Sequence, residues 1–288
     1  MSLKEREEFV VVGSSGRVGG LVVEGLVAAG QRVRAVARNP GSGGPGVTPH
    51  AADVRDTGAL RPVLRGATGI FLNLPPLLTV EDLRKVAGEI RASGIATVVL
   101  LSSDLVGLYP GSVMAAPHER EENVLGEIFG NGLVSLRPGM FMDNDITEWA
   151  PSIRCRDEIL TAFPESLQLP VAPVDIAAHA VEALTSGSVS ATSPRYVLGP
   201  QWLCARERAA IIAATRGRPV AVRQISPADY RALLARALPE PIAHQKAAML
   251  ATAPQSIVDC PDPGPGGERT PYSAWAAANV SSFTGGDR

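Results

Sequence analysis

Three glycines, Gly13, Gly16 and Gly19, lie between a strand pattern and a helix pattern and restrict the fold of this chain more than any other feature. Phe9–Val12 is a short apolar, mostly β-branched run, the pattern of a strand buried on both faces. From Gly16 to Gly30 the residues Val18, Leu21, Val22, Leu26 and Val27 recur at helical spacing, and Gly30 supplies a stop. A strand that enters a helix through such a loop leaves backbone N–H groups pointing at the space before the helix N-terminus, which suits an anion. The first glycine allows the tight turn, the second lets a pyrophosphate approach the backbone, and the third lets the helix pack on the sheet. Ser15, Arg17 and Val18 fall in the same loop and join Gly13, Gly16 and Gly19 as the expected dinucleotide-binding set.

The rest of the chain repeats this strand–helix rhythm. Gln31–Ala37 reads as a strand, Gly41–Gly46 as a loop, and a short strand follows that ends at Asp53. Thr57–Arg65 reads as a helix capped by Asp56 or Thr57, and Ile70–Leu74 as a strand stopped by Pro75–Pro76. Val80–Ser93 and His118–Phe129 have amphipathic helical patterns, and Thr97–Leu101 and Leu133–Leu136 have strand patterns. The alternation predicts an α/β fold, a doubly wound and mostly parallel sheet whose carboxyl edge holds ligands. After about residue 150 the rhythm changes. Arg154–Phe163 has a helical pattern, Val174–Leu184 a helix entered at Asp175, and Arg195–Leu198 a strand. Arg206–Thr215, Pro227–Ala237 and Ile242–Ala251 read as helices, with a strand at Val220–Ile225. Asp262–Gly267 is a Pro/Gly loop, beyond which Tyr272, Trp275 and Phe283 are expected to pack back onto the body. The expected division is a dinucleotide-binding domain over residues 1–150, to which 171–200 return, and a smaller, mainly helical substrate or lid region over 201–288.

The second strand bears on the choice of dinucleotide. Sites for NAD usually place an acid there for the ribose hydroxyls. Here the strand ends in Ala37-Arg38-Asn39. Arg38, with Arg17, offers a cationic fork for a 2′-phosphate, so NADP(H) is expected over NAD(H). Asp53 and Val54 follow the third strand and Asn73 and Leu74 end the fourth, which places all four on the cofactor edge. A turn or capping role remains open for Asp53 and Asn73.

Composition narrows the partners. The 288 residues carry a net charge of -2, which argues against nucleic acid or an acidic membrane as a partner. No apolar run reaches the roughly 18 residues needed to span a bilayer. The opening MSLKEREEF has no apolar stretch of the kind found in a secretion signal. Cys155, Cys204 and Cys260 form no motif, so a reduced, cytoplasmic setting is expected. No metal site is expected, because His118 and Glu122 find no third ligand among His50, His179 and His244.

Together these segments resemble the NmrA-like, atypical branch of the short-chain dehydrogenase/reductase superfamily, with its Rossmann-type sheet. The resemblance runs from VVVGSSGRVGG and VRAVARNP through Val98–Ser103 to LVSLRPGMFMDN, VAPVDIAAHAVEAL and RTPYSAWAAANVSSF. It implies a nicotinamide pocket lined near Ser102 and Ser103 and a substrate side near Phe141, Met142 and Asn144. Typical members of the superfamily use Tyr-x-x-x-Lys after the fifth strand to deliver a proton. This chain has His118 and Glu122 at those places, an i, i+4 pair expected on one helix face. His118, Ser102 and Ser103 are therefore the candidate catalytic residues, with His118 suited to proton transfer near neutrality.

Three functions fit this reading. The first is an NADP(H)-dependent oxidoreductase of secondary metabolism, acting as a monomer or homodimer on a small, fairly apolar carbonyl, quinone or enone. The second is a non-catalytic NADP(H)-sensing regulator. The third is a non-redox cyclase, dehydratase or isomerase. The absence of a Gly-x-Ser-x-Gly sequence disfavours a serine hydrolase.

Overall fold

The computed structural model describes residues 7–186, 194–252 and 269–284. Cys260 and the Pro/Gly loop Asp262–Gly267 lie outside the described residues. The chain forms two compact units, one of Met1–Gly111, Ala115–Pro138 and Pro173–Val197, the other of Ser112–Met114, Gly139–Ala172 and Leu198–Arg288. The passage from the first unit thus falls after Pro138, ahead of residue 150, and residues 139–172 belong with the C-terminal part.

The first unit holds the sheet. Its strands are β1 (Glu8–Val12), β2 (Arg32–Ala37), β3 (Val47–Ala51), β4 (Gly69–Leu72), β5 (Thr97–Leu101), β6 (Leu133–Pro138) and β8 (Arg195–Val197). They lie in the order β3-β2-β1-β4-β5-β6-β8, and all pair parallel, which is the doubly wound Rossmann-type arrangement. The helices are α1 (Arg17–Ala28), α2 (Thr57–Leu64), α3 (Val80–Ala92), the short α4 (Leu105–Leu108), α5 (Ala116–Phe129) and α8 (Pro173–Thr185).

The strands bury both faces, which is why they read as continuous apolar runs. Val10, Val12, Ile70, Leu72, Val98 and Leu100 pack against Leu60, Leu83, Val86, Ile90 and Val124 from α2, α3 and α5. On the other face α1 and α8 pack so closely that a Cβ added at Gly25 would lie 2.8 Å from Val181 Cγ2. Local signals set the helix starts. The Asp56 carboxylate accepts from Ala59 N–H at 3.0 Å, and Thr79 with Asp82 closes a capping box at the start of α3.

The second unit contains α6 (Asn144–Glu148), α7 (Ala150–Arg156), β7 (Glu158–Thr161), α9 (Ala205–Arg216), β9 (Ala221–Gln224), α10 (Pro227–Leu234), α11 (Glu240–Thr252), α12 (Tyr272–Ala278) and α13 (Val280–Phe283). One sequence expectation is corrected here. The helical pattern over Arg154–Phe163 is split: α7 ends at Arg156, and Asp157 turns left-handed at φ 52°. Residues 158–161 then pair parallel with β9. Arg216 and Arg218 both bridge the Asp157 carboxylate, at 2.8 and 2.6 Å, and so hold a conformation that non-glycine residues rarely adopt.

A buried ion pair organises this unit. Asp145 accepts from Arg208 Nη1 at 2.7 and 2.8 Å and from the Tyr272 hydroxyl at 2.5 Å. The Arg208 guanidinium stacks 4.4 Å above the Trp149 ring and donates to Gln168. Tyr272, Trp275 and Phe283 pack here with Met142, Ile153 and Ile212, so the C-terminal aromatics complete the core of this unit. Removing one member of a buried pair strands the other charge. Arg208→Met is therefore expected to lower the stability of the second unit by about 3–5 kcal/mol. Urea unfolding followed by tryptophan fluorescence checks this, since Trp149, Trp202 and Trp275 all lie in that unit.

Candidate cofactor and active site

The glycine loop leaves β1 with Gly13 at φ +80°, a left-handed conformation that glycine adopts without strain. Gly13 and Ser14 N–H groups both donate to Val36 O, at 2.9 and 3.2 Å, and so tie the loop to β2. A Cβ at Gly13 would lie 2.9 Å from both the Cβ and the O of Asn73, so the loop and the end of β4 are in close contact. At Gly19 a Cβ would collide with the Gly13 carbonyl, which is how closely α1 approaches the loop.

Gly16 is the N-cap of α1 and offers no capping side chain, and the first turn holds no acid. Ser14, which sequence reasoning passed over in favour of the exposed Ser15, is buried, and its Oγ has no hydrogen-bond partner among the described residues. An uncapped helix start, a backbone cradle that side chains would fill and an orphaned hydroxyl together fit the pyrophosphate of a dinucleotide. Val18 is 1% exposed and Val54 and Leu74 are also buried, so these three shape the edge through backbone and packing.

Arg38 is exposed at the end of β2. Asp53 does not stand as an open acid. It accepts the Arg55 backbone N–H at 2.9 Å and is gripped by the Arg55 side chain at 3.0 and 2.7 Å. These bonds, with Arg38 adding its charge, hold the Asp53 carboxyl well below the usual carboxylate range. Arg55 was not singled out from the sequence, where only the Asp-x-Arg spacing marks it.

At the other end of the carboxyl edge the pairing differs from the i, i+4 expectation. Glu122 does not face His118. Arg137, from β6, donates to both its oxygens, from Nε at 2.9 Å and Nη2 at 2.5 Å. The buried Ser102 hydroxyl donates to the same carboxylate at 2.5 Å. Arg137 Nη1 reaches the Tyr196 hydroxyl of β8 at 3.1 Å. Ser102, Glu122, Arg137 and Tyr196 thus form one network across β5, α5, β6 and β8, and Ser102's proton is committed within it.

His118 instead turns to Glu121, with Nδ1 at 3.4 Å from Oε2. Glu121 is buried, and burial raises its pKa against the opposing influence of His118. Ser103 accepts from Leu105 N–H at 3.3 Å and donates to Asp104 Oδ1 at 3.4 Å. Asp104, a half-buried residue, has its carboxyl pushed up to about 7, chiefly by desolvation. His118, Ser103, Asp104 and Glu121 therefore share one edge of the first unit.

In the second unit Met142 is fully buried among Trp149, Ala150 and Ile153, in the core of that unit. Phe141, bridged to Val171, and Asn144, at the start of α6, are half-buried. No group of three metal-ligating side chains occurs among the described residues, and none of their helices is long and apolar enough to cross a membrane.

Residues 13–187, over half of the chain, match the NAD(P)H-binding family, and the chain belongs to that family. It is 31% identical to a (4-alkanoyl-5-oxo-2,5-dihydrofuran-3-yl)methyl phosphate reductase of Streptomyces griseus subsp. griseus, over 96% of this chain and 99% of the relative. It is 28% identical to an NAD(P)H azoreductase of Xenophilus azovorans, over the same shares. In fold it is similar to an NADPH-dependent quinone oxidoreductase of Escherichia coli solved with NADPH (TM-score 0.73, 22% identity, 95% of this chain and 98% of that one). NmrA, a negative transcriptional regulator solved with NAD, also shares the fold (TM-score 0.66, 17% identity, 78% and 75%). The fold is that of the atypical short-chain dehydrogenases/reductases, as the sequence resemblance implied.

Two outcomes follow from the site. Gly19→Ala forces α1 off the loop and is expected to abolish NAD(P)H binding in calorimetric titration. Asp104, whose pKa rises from 3.8 to about 7, binds its proton more tightly in the folded chain than in the unfolded one. Its contribution to stability therefore falls as pH rises from about 4 to about 7. Asp104→Asn is expected to flatten that part of the stability profile, read by urea unfolding at several pH values.

Proposed function

We propose that this protein is an NADPH-dependent reductase of small compounds with a conjugated carbonyl, such as a quinone or enone. The observation that carries the reading is the near end-to-end likeness to a reductase whose named substrate contains an unsaturated, carbonyl-conjugated ring. The azoreductase relative also acts on an electron-poor double bond, by its name. A reduced nicotinamide, when bound, supplies a hydride. The chain's own residues do the rest. The glycine loop and Ser14 hold the pyrophosphate, and Arg38 and Arg55 surround the place suited to a 2′-phosphate.

Conjugated acceptors suit a site without the Tyr/Lys pair. An enolate or hydroquinone anion is far less basic than an alkoxide, so a weak acid suffices to protonate it. We assign that proton to His118, whose side chain is 32% exposed. Ser102 is set aside, because its hydroxyl is buried and bonded to Glu122. Ser103 orients Asp104 and the start of α4. Asn144 and Phe141 are proposed substrate-side residues.

The test is NADPH oxidation at 340 nm across quinones, butenolides and simple ketones. Turnover with the first two, with NADPH preferred over NADH, is the expected result. Arg38→Ala is expected to weaken NADPH binding about 10- to 100-fold and leave NADH binding unchanged. His118→Asn is expected to lower kcat about 100-fold or more. Tight NADPH binding with no turnover on any acceptor overturns the reductase reading and favours a non-catalytic regulator, NmrA being a negative transcriptional regulator solved with NAD.

A further inference from the structure

Glu121, a buried carboxyl of the first unit, has no role in the function proposed above, and it lies beside His118. Glu121 lies one helical turn after His118, and its side chain is 4% exposed against 32% for the imidazole. A carboxylate so buried is costly without a donor. The cation that β6 contributes nearby, Arg137, is committed to Glu122 and Tyr196. Arg120, on the same helix, and Glu122 act on Glu121 only through their charges. The group facing the Glu121 carboxyl is His118 Nδ1, at 3.4 Å, a separation typical of catalytic contacts that shorten on ligand binding. A carboxylate at one ring nitrogen sets the tautomer and leaves the other nitrogen as the working atom.

We propose that Glu121 and His118 act as one unit, in which Glu121 positions the imidazole through Nδ1 and leaves Nε2 to face the substrate. The inference rests on the reductase reading for its use: His118 releases its Nε2 proton to the reduced, anionic substrate, one N–H bond breaking as one bond to substrate forms. The electron pair comes from the reduced nicotinamide, and the lost proton is replaced from water. Glu121 is a positioning residue, because it acts through His118.

The experiment uses the full chain without cofactor. The protein is labelled with 15N-histidine, the His118 signals are assigned with His118→Gln, and the ring nitrogens are followed by NMR across pH. The expected result is a dominant Nδ1–H tautomer of the neutral ring, which Glu121→Gln shifts towards Nε2–H. A dominant Nε2–H form in the unsubstituted protein, or a tautomer indifferent to Glu121→Gln, overturns the proposal. Should Glu121→Gln fail to fold, the unsubstituted protein decides alone, since a dominant Nε2–H form overturns it. Because no cofactor or substrate is present, this outcome is independent of whether NADPH turnover is found.

Discussion

The bidentate pair between Glu122 and Arg137 sets the geometry of the edge where chemistry is proposed. Both side chains are largely withdrawn from water, at 12% and 14% exposure, so neither charge can be left alone without a penalty of several kcal/mol. The pair joins α5 to β6, Ser102 extends it to β5, and Tyr196 extends it to β8. With Glu122 fixed, the rotation of α5 about its axis is fixed as well. Glu121 is then driven inward, and His118, a turn earlier, lies between that carboxylate and solvent. The acid–base cluster is thus a by-product of an ion pair that itself transfers no proton.

Where the decisive contacts are local, the sequence was readable. Gly13, Gly16 and Gly19 lie within two turns of one another, and their jobs follow from strand-to-helix geometry alone. The cap at Asp56 likewise needs only a neighbour three residues away. The misreadings occur where a distant charge decides. Helical spacing paired His118 with Glu122, but Arg137, fifteen residues on, claims that carboxylate. Apolar spacing through Arg154–Phe163 fits a helix as well as a strand; Arg216 and Arg218, some sixty residues away, hold the Asp157 turn that separates them. The Asp145–Arg208–Tyr272 network joins three segments far apart in sequence and left no local trace.

The two ends of the carboxyl edge show different uses of charge. Around Asp53 the arginines Arg55 and Arg38 outnumber the acid and stand exposed to solvent. Around Glu122 the charges are matched one to one and shielded, suited to permanent architecture.

The route of the chain has a consequence for how the protein is made. The first unit receives its last helix and last strand, α8 and β8, only from Pro173–Val197, after Gly139–Ala172 has gone to the second unit. During synthesis the sheet must wait with one edge of β6 open and one flank of α1 bare until those residues leave the ribosome. Long-range closure of this kind slows folding and leaves an apolar surface in search of a partner. A nascent chain halted near residue 170 would therefore be a strong client for chaperones, although nearly all of its nucleotide-binding loop and edge would already exist.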